Sequence, residues 1–226
     1  MAKKILVTGG TGYIGSHTVV ELQQAGYDVV IVDNLSNSSA DVLEGITRIT
    51  GVRPAFDKLD CTDMKAMEAL FKKHRFDGII HFAASKAVGE SVQQPLLCYR
   101  NNLVSLINLL VSSSCTVYGE PAQNPIDESA PIKPAASPYG NTKQVNEEII
   151  QDFVHSGAPI KSIILRYFNP IGAHPSAGIG ELPLGVPQNL VPCITQTGIG
   201  IREQLSVFGD DYDTPEASCI RGFINV

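Results

Sequence analysis

Positive charge is scarce in this chain. Its 226 residues include 17 Lys and Arg against 23 Asp and Glu, a formal net charge of −6. That balance excludes a broad nucleic-acid-binding face, which needs a basic surface to release counterions. It still permits local phosphate recognition by single arginines or helix N-termini. Long apolar runs are missing too. No run approaches the roughly 20 residues of a membrane-spanning helix, and Met1-Ala2-Lys3-Lys4 leads straight into a strand pattern, so no membrane association is expected. Cys61, Cys98, Cys115, Cys193 and Cys219 form no C-x-x-C pair and have no His at metal-ligand spacing. No metal site is expected, and the odd, scattered set reads as reduced thiols of a cytoplasmic protein. There is no internal repeat and no low-complexity tract, which excludes solenoids and arrays. At 43% hydrophobic and 18% charged, the chain is long enough for one substantial core with a smaller lobe attached.

What is present begins at Lys4. Lys4 to Val7 is an apolar strand pattern, Thr8 to Gly15 is glycine-rich, and Ile14 to Ala25 has helical periodicity. Strand, glycine turn and helix in that order form the cradle of a dinucleotide pyrophosphate. Gly9 suits a tight turn with positive φ, Gly12 lets backbone approach the phosphates, and Gly15 lets the helix pack closely. The spacing is G-x-x-G-x-x-G, distinct from the commonest dehydrogenase pattern. Tyr27 to Asp33 reads as a second strand, apolar without alternation, as in a parallel sheet covered on both faces. It ends in Asp33, placed to accept both adenosine ribose hydroxyls and to repel a 2′-phosphate, so NAD is favoured over NADP.

Further strands are expected over Pro54–Leu59, Phe76–Ala84, Val111–Gly119 and Lys161–Phe168. Helices are expected from Ser38 or Ser39 towards Thr50, over Asp63–His74 behind a Thr62 cap, over Leu96–Leu110, from Ser137 to about Ser156, and over Val186–Thr195. Asp60 stands either to meet the adenine or to organise a turn. His81, inside an apolar run, reads as a packed core histidine. The small pair Ala83-Ala84 falls where backbone lies close to the cofactor. Leu110 runs into the next strand pattern without a connection, although a helix needs several residues to reverse into a parallel sheet; residues are expected to be missing near 110–112. The fold expected is α/β: a Rossmann-type doubly wound parallel sheet over residues 1–168. A smaller, mostly irregular and helical substrate lobe starts at 169–226 and is incomplete here.

Tyr139 and Lys143 stand four apart at the start of a helix and so share a face. A phenol titrates near 10; moving it to neutrality needs roughly 4 kcal/mol, which a close ammonium and a cationic nicotinamide are expected to supply. Lys143 also suits the nicotinamide ribose, and Ser114 suits a relay from substrate hydroxyl to Tyr139.

These stretches resemble the extended short-chain dehydrogenase/reductase family and, within it, the UDP-glucose 4-epimerase group. The matching runs are TGGTGYIGSH at 8–17, VDNLSNSS at 32–39, HFAASKAVGESV at 81–92, SSSCTVYGEP at 112–121, PYGNTK at 138–143, LRYFNPIGAHPS at 165–176 and VFGDDYDT at 207–214. The resemblance implies NAD contacts from Gly9, Gly12, Tyr13, Ile14, Gly15, Asp33, Asn34, Leu35, Ser36, Asn37, Ser38, Asp60, Cys61, Phe82, Ala83, Ala84, Ser85, Lys86, Asn101, Ser114, Tyr139, Lys143 and Phe168. It implies UDP-sugar contacts from Lys86, Ser114, Thr116, Tyr139, Asn169, Asn189, Leu190, Ser206, Val207, Phe208 and Arg221, the last as a guanidinium fork on the diphosphate.

The implied reaction interconverts UDP-glucose and UDP-galactose through a 4-keto sugar, with tightly bound NAD as a temporary hydride store and a homodimer as the assembly. A nucleotide-sugar dehydratase would need an acid/base pair where this chain has Cys115-Thr116. The remaining alternative is a regulatory protein that binds NAD without turnover. The family pattern Arg-Asp-Tyr-Ile-His-Val stands here as Arg221-Gly222-Phe223-Ile224-Asn225-Val226, and the family continues past that point to complete the substrate lobe.

Overall fold

A computed structural model describes residues 2–112, 134–167, 169–207, 209–214 and 222–226. The strand expected over Val111–Gly119, the short connection before it, and Ser114, Thr116, Phe168, Phe208 and Arg221 lie outside this set or depend on residues outside it. Four parallel strands, β1 (Lys4–Thr8), β2 (Asp28–Asp33), β3 (Ala55–Lys58) and β4 (Gly78–His81), make a sheet in the order β3-β2-β1-β4. Leu6 pairs with Val30 on one side and Ile79 on the other. Between the strands run α1 (Tyr13–Gln24), α2 (Val42–Thr50) and α3 (Met64–Lys73); after β4 come α4 (Val88–Gln93), α5 (Pro95–Ser112) and α6 (Pro138–His155).

The unalternated apolar strands are explained by helices on both faces. Ile5, Val7, Val29 and Ile31 pack with Val19 and Val20 of α1 and Leu43 and Ile46 of α2. Leu6, Val30 and Val32 point the other way, onto Met67 and Leu70 of α3 and Leu109 of α5. A third cluster, Leu106, Leu110 and Ile150, joins α5 to α6. The doubly wound arrangement is the expected one. Ile179, from beyond residue 168, packs into the first cluster, so the expected boundary there is crossed by core contacts.

Several local expectations are corrected. The Lys161–Phe168 strand is absent among the described residues: 161–167 carries no ladder, and Ile163 and Leu165 are 74% and 59% exposed. An apolar run becomes a strand only beside a hydrogen-bonded neighbour, and β1 is the neighbour that β4 has among the described strands. A short parallel pair forms instead from β5 (Asn169–Ile171) and β6 (Phe223–Asn225). The cap of α3 is Asp63, which accepts from the Ala66 N–H at 3.1 Å, while Thr62 serves Asp60. Helix α2 begins only at Val42, after Ser39 has bonded the Asp41 carboxylate. Helix α7 (Leu190–Gly198) starts later than expected because Asn189 is extended, at φ −94 and ψ 149. Helix α4 had no strong signal, being six residues with a glycine inside.

His81 is the packed histidine expected: its Nδ1 lies 2.6 Å from Thr8 Oγ1, and burial, aided by the Lys143 charge, drives its pKa down to about 3. The unfolded chain binds a proton there near pH 6.5, and the native ring refuses it. Stability is therefore fully present above pH 6.5 and falls as pH drops towards 3, by at most about 1.4 kcal/mol per pH unit. Thermal midpoints measured between pH 7 and 4 should fall, and His81→Asn should flatten that fall.

Candidate active site

The site starts at the carboxyl end of β1. Gly9 sits at φ 70 and donates its N–H to Val32 O at 2.8 Å. A side chain there would put Cβ 2.7 Å from Ala83 N, so this glycine lets the turn lie against the segment after β4. A Cβ on Gly15 would stand 2.2 Å from Gly9 O. Its role is thus close packing of α1 onto the turn itself. Gly12 caps α1 with no side-chain partner, leaving the first-turn amides to face an anion.

Asp33, at the end of β2, lies beside this turn. It accepts from Thr11 N at 3.3 Å, Leu35 N at 2.9 Å and Ser38 Oγ at 3.3 Å. Leu35 takes φ 61 to make that contact, a strained conformation for a branched side chain. Ser36 N bonds Asn34 Oδ1, and Asn37 lies in the same turn. Asn34 reaches across to Asp60 Oδ2 at 3.1 Å. Burial works to raise the Asp60 pKa, but two bonds from Thr62, one from Asn34 and the Arg100 charge hold it below the usual range. Both Asp60 oxygens are thus engaged by protein donors. Of the two readings left open for it, the turn-forming one is visible directly. The Cys61 side chain is buried in the core and its thiol is pushed up to about 12, so what this residue offers a ligand is backbone.

Phe82 and Ala83 leave β4 over Thr8, Phe82 N donating to Thr8 O at 2.9 Å. Ala84 follows, and Asn101 of α5 donates to Ser85 Oγ at 3.0 Å. Lys86 lies 3.8 Å from Glu181, whose carboxylate also receives the Asn189 amide. Sequence reasoning missed Glu181, an acidic residue in a Gly/Pro-rich stretch with no motif to mark it. It links a residue expected to meet both ligands to one expected to meet the sugar nucleotide. Tyr13 donates to Gly172 O at 2.7 Å, tying α1 to the second lobe; burial, with Glu181 nearby, pushes its phenol up to about 12. Ile14 opens α1 beside it.

Helix α6 begins as expected, with Pro138 in its first turn and Ser137 accepting from Gly140 N at 3.1 Å. Tyr139 and Lys143 share a face, with Lys143 Nζ 5.4 Å from the Tyr139 ring centroid. The lowering expected for the phenol relies on a cationic nicotinamide as well as Lys143, and the protein's own groups push the other way. Burial, with Tyr167 and Cys98 adding to it, pushes Tyr139 up to about 12, and burial pulls Lys143 down to about 8 against the influence of Cys98. Burial dominates the phenol, so lowering Tyr139 requires positive charge close to its oxygen.

In the second lobe Asn169 donates to Gly222 O at 2.9 Å. Leu190 is half-exposed at the start of α7, and Ser206 and Val207 lie on an exposed stretch. The structure therefore brings together the glycine turn, Asp33 to Ser38, Asp60 and Phe82 to Lys86. It ties Asn189 to Lys86 through Glu181, and it leaves Leu190, Ser206 and Val207 on the surface. An open depression lined by Phe71, His74, Phe76 and Ile79 lies at the amino end of β4. Ligands of such sheets gather at the carboxyl ends of the strands, so it is assigned no role. Among the described residues, no group of three His, Cys, Asp or Glu could hold a metal, and no helix is long and apolar enough to cross a membrane.

The sequence and the fold match known proteins. UDP-glucose 4-epimerase 2 of Arabidopsis thaliana is 49% identical over 241 residues, spanning 100% of this chain and 69% of that protein. UDP-glucose 4-epimerase of Homo sapiens is 47% identical, over 100% of this chain and 70% of that protein. The crystal structure of UDP-glucose 4-epimerase from Bifidobacterium longum with NAD+ and UDP superposes with a TM-score of 0.93 at 40% identity, covering 99% of this chain and 70% of that one. The Stenotrophomonas maltophila enzyme, with bound NAD and formylated UDP-arabinopyranose, gives 0.91 at 45% identity with the same coverage. Residues 5–211 match the NAD dependent epimerase/dehydratase family, and the chain belongs to that family.

Proposed function

We propose that the protein interconverts UDP-glucose and UDP-galactose by reversible 4-epimerisation with resident NAD. The observation that carries this reading is the Tyr139–Lys143 pair on one face of α6, in a chain that also holds the glycine turn after β1 and Asp33 at the end of β2 and is about half identical to UDP-glucose 4-epimerases throughout its length.

The residues fit the cofactor. The bare α1 cap and the Gly9 turn suit a pyrophosphate, and Asp33 suits a ribose diol. Bound NAD supplies a reversible hydride acceptor and a cationic ring. Tyr139 takes the proton of the hexose 4′-hydroxyl and later returns it. Lys143 orients the ribose and adds positive charge. Ser114 would bridge substrate and phenol, and Phe168 would serve the nicotinamide. Arg221 holds the diphosphate, with Lys86, Thr116, Asn169, Asn189, Leu190 and Ser206 to Phe208 around the sugar nucleotide. The nucleotide end anchors, while the hexose stays loose enough to turn. The NAD-binding domain spans 1–168, and residues from 169 begin the substrate lobe. The assembly is a homodimer in a reducing cytoplasm, where the free thiols of Cys61, Cys98 and Cys193 persist.

Two measurements test this. Incubation with UDP-galactose, followed by a UDP-glucose dehydrogenase coupling reaction, should report UDP-glucose; no product means the activity assignment is wrong. Asp33→Asn should weaken NAD retention about tenfold or more, as expected for losing a charge-assisted pair of bonds. NAD released per chain on dialysis measures it. Retention equal to wild type would remove Asp33 from the site.

A further inference from the structure

Asn102 sits in the middle of α5 and is 1% exposed. A buried amide is costly unless its donors and acceptor are engaged, and here they are. Its Oδ1 accepts from Ser85 N at 2.8 Å and Asn101 Nδ2 at 3.1 Å. Its Nδ2 donates to Ser85 O at 3.1 Å and Thr142 Oγ1 at 3.0 Å. The two bonds to Ser85 hold the peptide groups on either side of that residue. Thr142, fully buried, donates its single hydroxyl proton to Tyr139 O at 2.7 Å. It therefore must accept from residue 102, and a donor is required there. Asn146 Nδ2 closes the arrangement on Asn102 O at 3.3 Å.

We propose that Asn102 is a positioning residue: its side-chain amide locks the backbone at Ser85 to the first turn of α6 and so sets where Tyr139 stands relative to the segment following β4. It touches none of the reacting atoms. The polarity of the chain from Asn102 through Thr142 to the Tyr139 carbonyl makes the role specific. An isosteric Asp would face the Thr142 oxygen and Ser85 O with acceptors in place of donors. Asn101, its neighbour, faces the Ser85 hydroxyl and cannot substitute.

The role rests on the reading of Tyr139 as the base. Its test has a readout independent of turnover: the pH at which Tyr139 ionises, from phenolate absorbance with the Tyr139→Phe variant subtracted. Thr142→Val removes the relay while keeping shape, and Thr142→Ser keeps the hydroxyl. The Tyr139 titration should move by half a pH unit or more in Thr142→Val and return in Thr142→Ser. A roughly tenfold lower kcat at unchanged KM for UDP-galactose should accompany the move. Asn102→Asp, if it folds, should move the titration in the same direction. A Thr142→Val titration equal to wild type, or a Thr142→Ser titration displaced as far as Thr142→Val, overturns the proposal. An inert wild type would instead count against the activity and leave this titration decisive.

Discussion

Tyr139→Phe should lower kcat by roughly 10²–10⁴-fold, the usual worth of a positioned acid/base group, while NAD and UDP remain bound. Phe keeps the ring under Lys143, whose Nζ lies 5.4 Å from the centroid, so the stacking survives. The Ser137 cap and the Thr142 bond to the residue 139 carbonyl do not involve the phenol. Only the oxygen is lost. Burial pushes that phenol up to about 12, so at neutral pH it is protonated before cationic charge arrives. A base in that state works only when substrate hydroxyl, cofactor and Lys143 are assembled around it. Lys143, itself pulled down to about 8, loses its charge as pH rises past that value. Turnover against pH, with UDP affinity measured in parallel, checks the variant. A kcat within tenfold of wild type would show that Tyr139 is not the base.

Gly15→Ala should remove NAD retention and lower the thermal midpoint. Its Cβ would meet Gly9 O at 2.2 Å and the Gly10 Cα at 2.8 Å, both backbone. Neither side can yield. Gly9 is held by its N–H bond to Val32 O and by the close passage of Ala83, and α1 is held by Val19 and Val20 in the core. Overpacking of this kind costs about 3 kcal/mol, or roughly 6–12 °C for a domain of this size. The displaced turn would also carry the α1 amides away from the phosphates. Thermal unfolding together with bound NAD per chain reads both effects. An unchanged midpoint with NAD retained would mean the turn is not the tight cradle described.

Where chemistry is local, the sequence was a good guide. The Gly9 turn, Asp33 at a strand end, the Ser137-Pro138 start of α6 and the Tyr139–Lys143 face all follow from residue spacing along one element, and each stands where spacing put it. His81 was recognisable as a core group because it interrupts an apolar run. Long-range facts were less visible. Whether Lys161–Phe168 becomes a strand depends on a neighbour, which no local pattern reports. The bond from Asn34 to Asp60 and the Glu181 link between Lys86 and Asn189 join residues 26 or more positions apart. The burial that pushes the Tyr139 phenol up is likewise invisible to local spacing.

The most direct test of the account follows the hydrogen on the hexose. UDP-galactose carrying deuterium at C4 of the sugar is incubated with the protein in ordinary water, and the UDP-glucose formed is examined by NMR. Deuterium should be retained at C4, because that hydrogen leaves for the resident cofactor and returns without meeting solvent. Product carrying solvent hydrogen at C4, or no product at all, would contradict it.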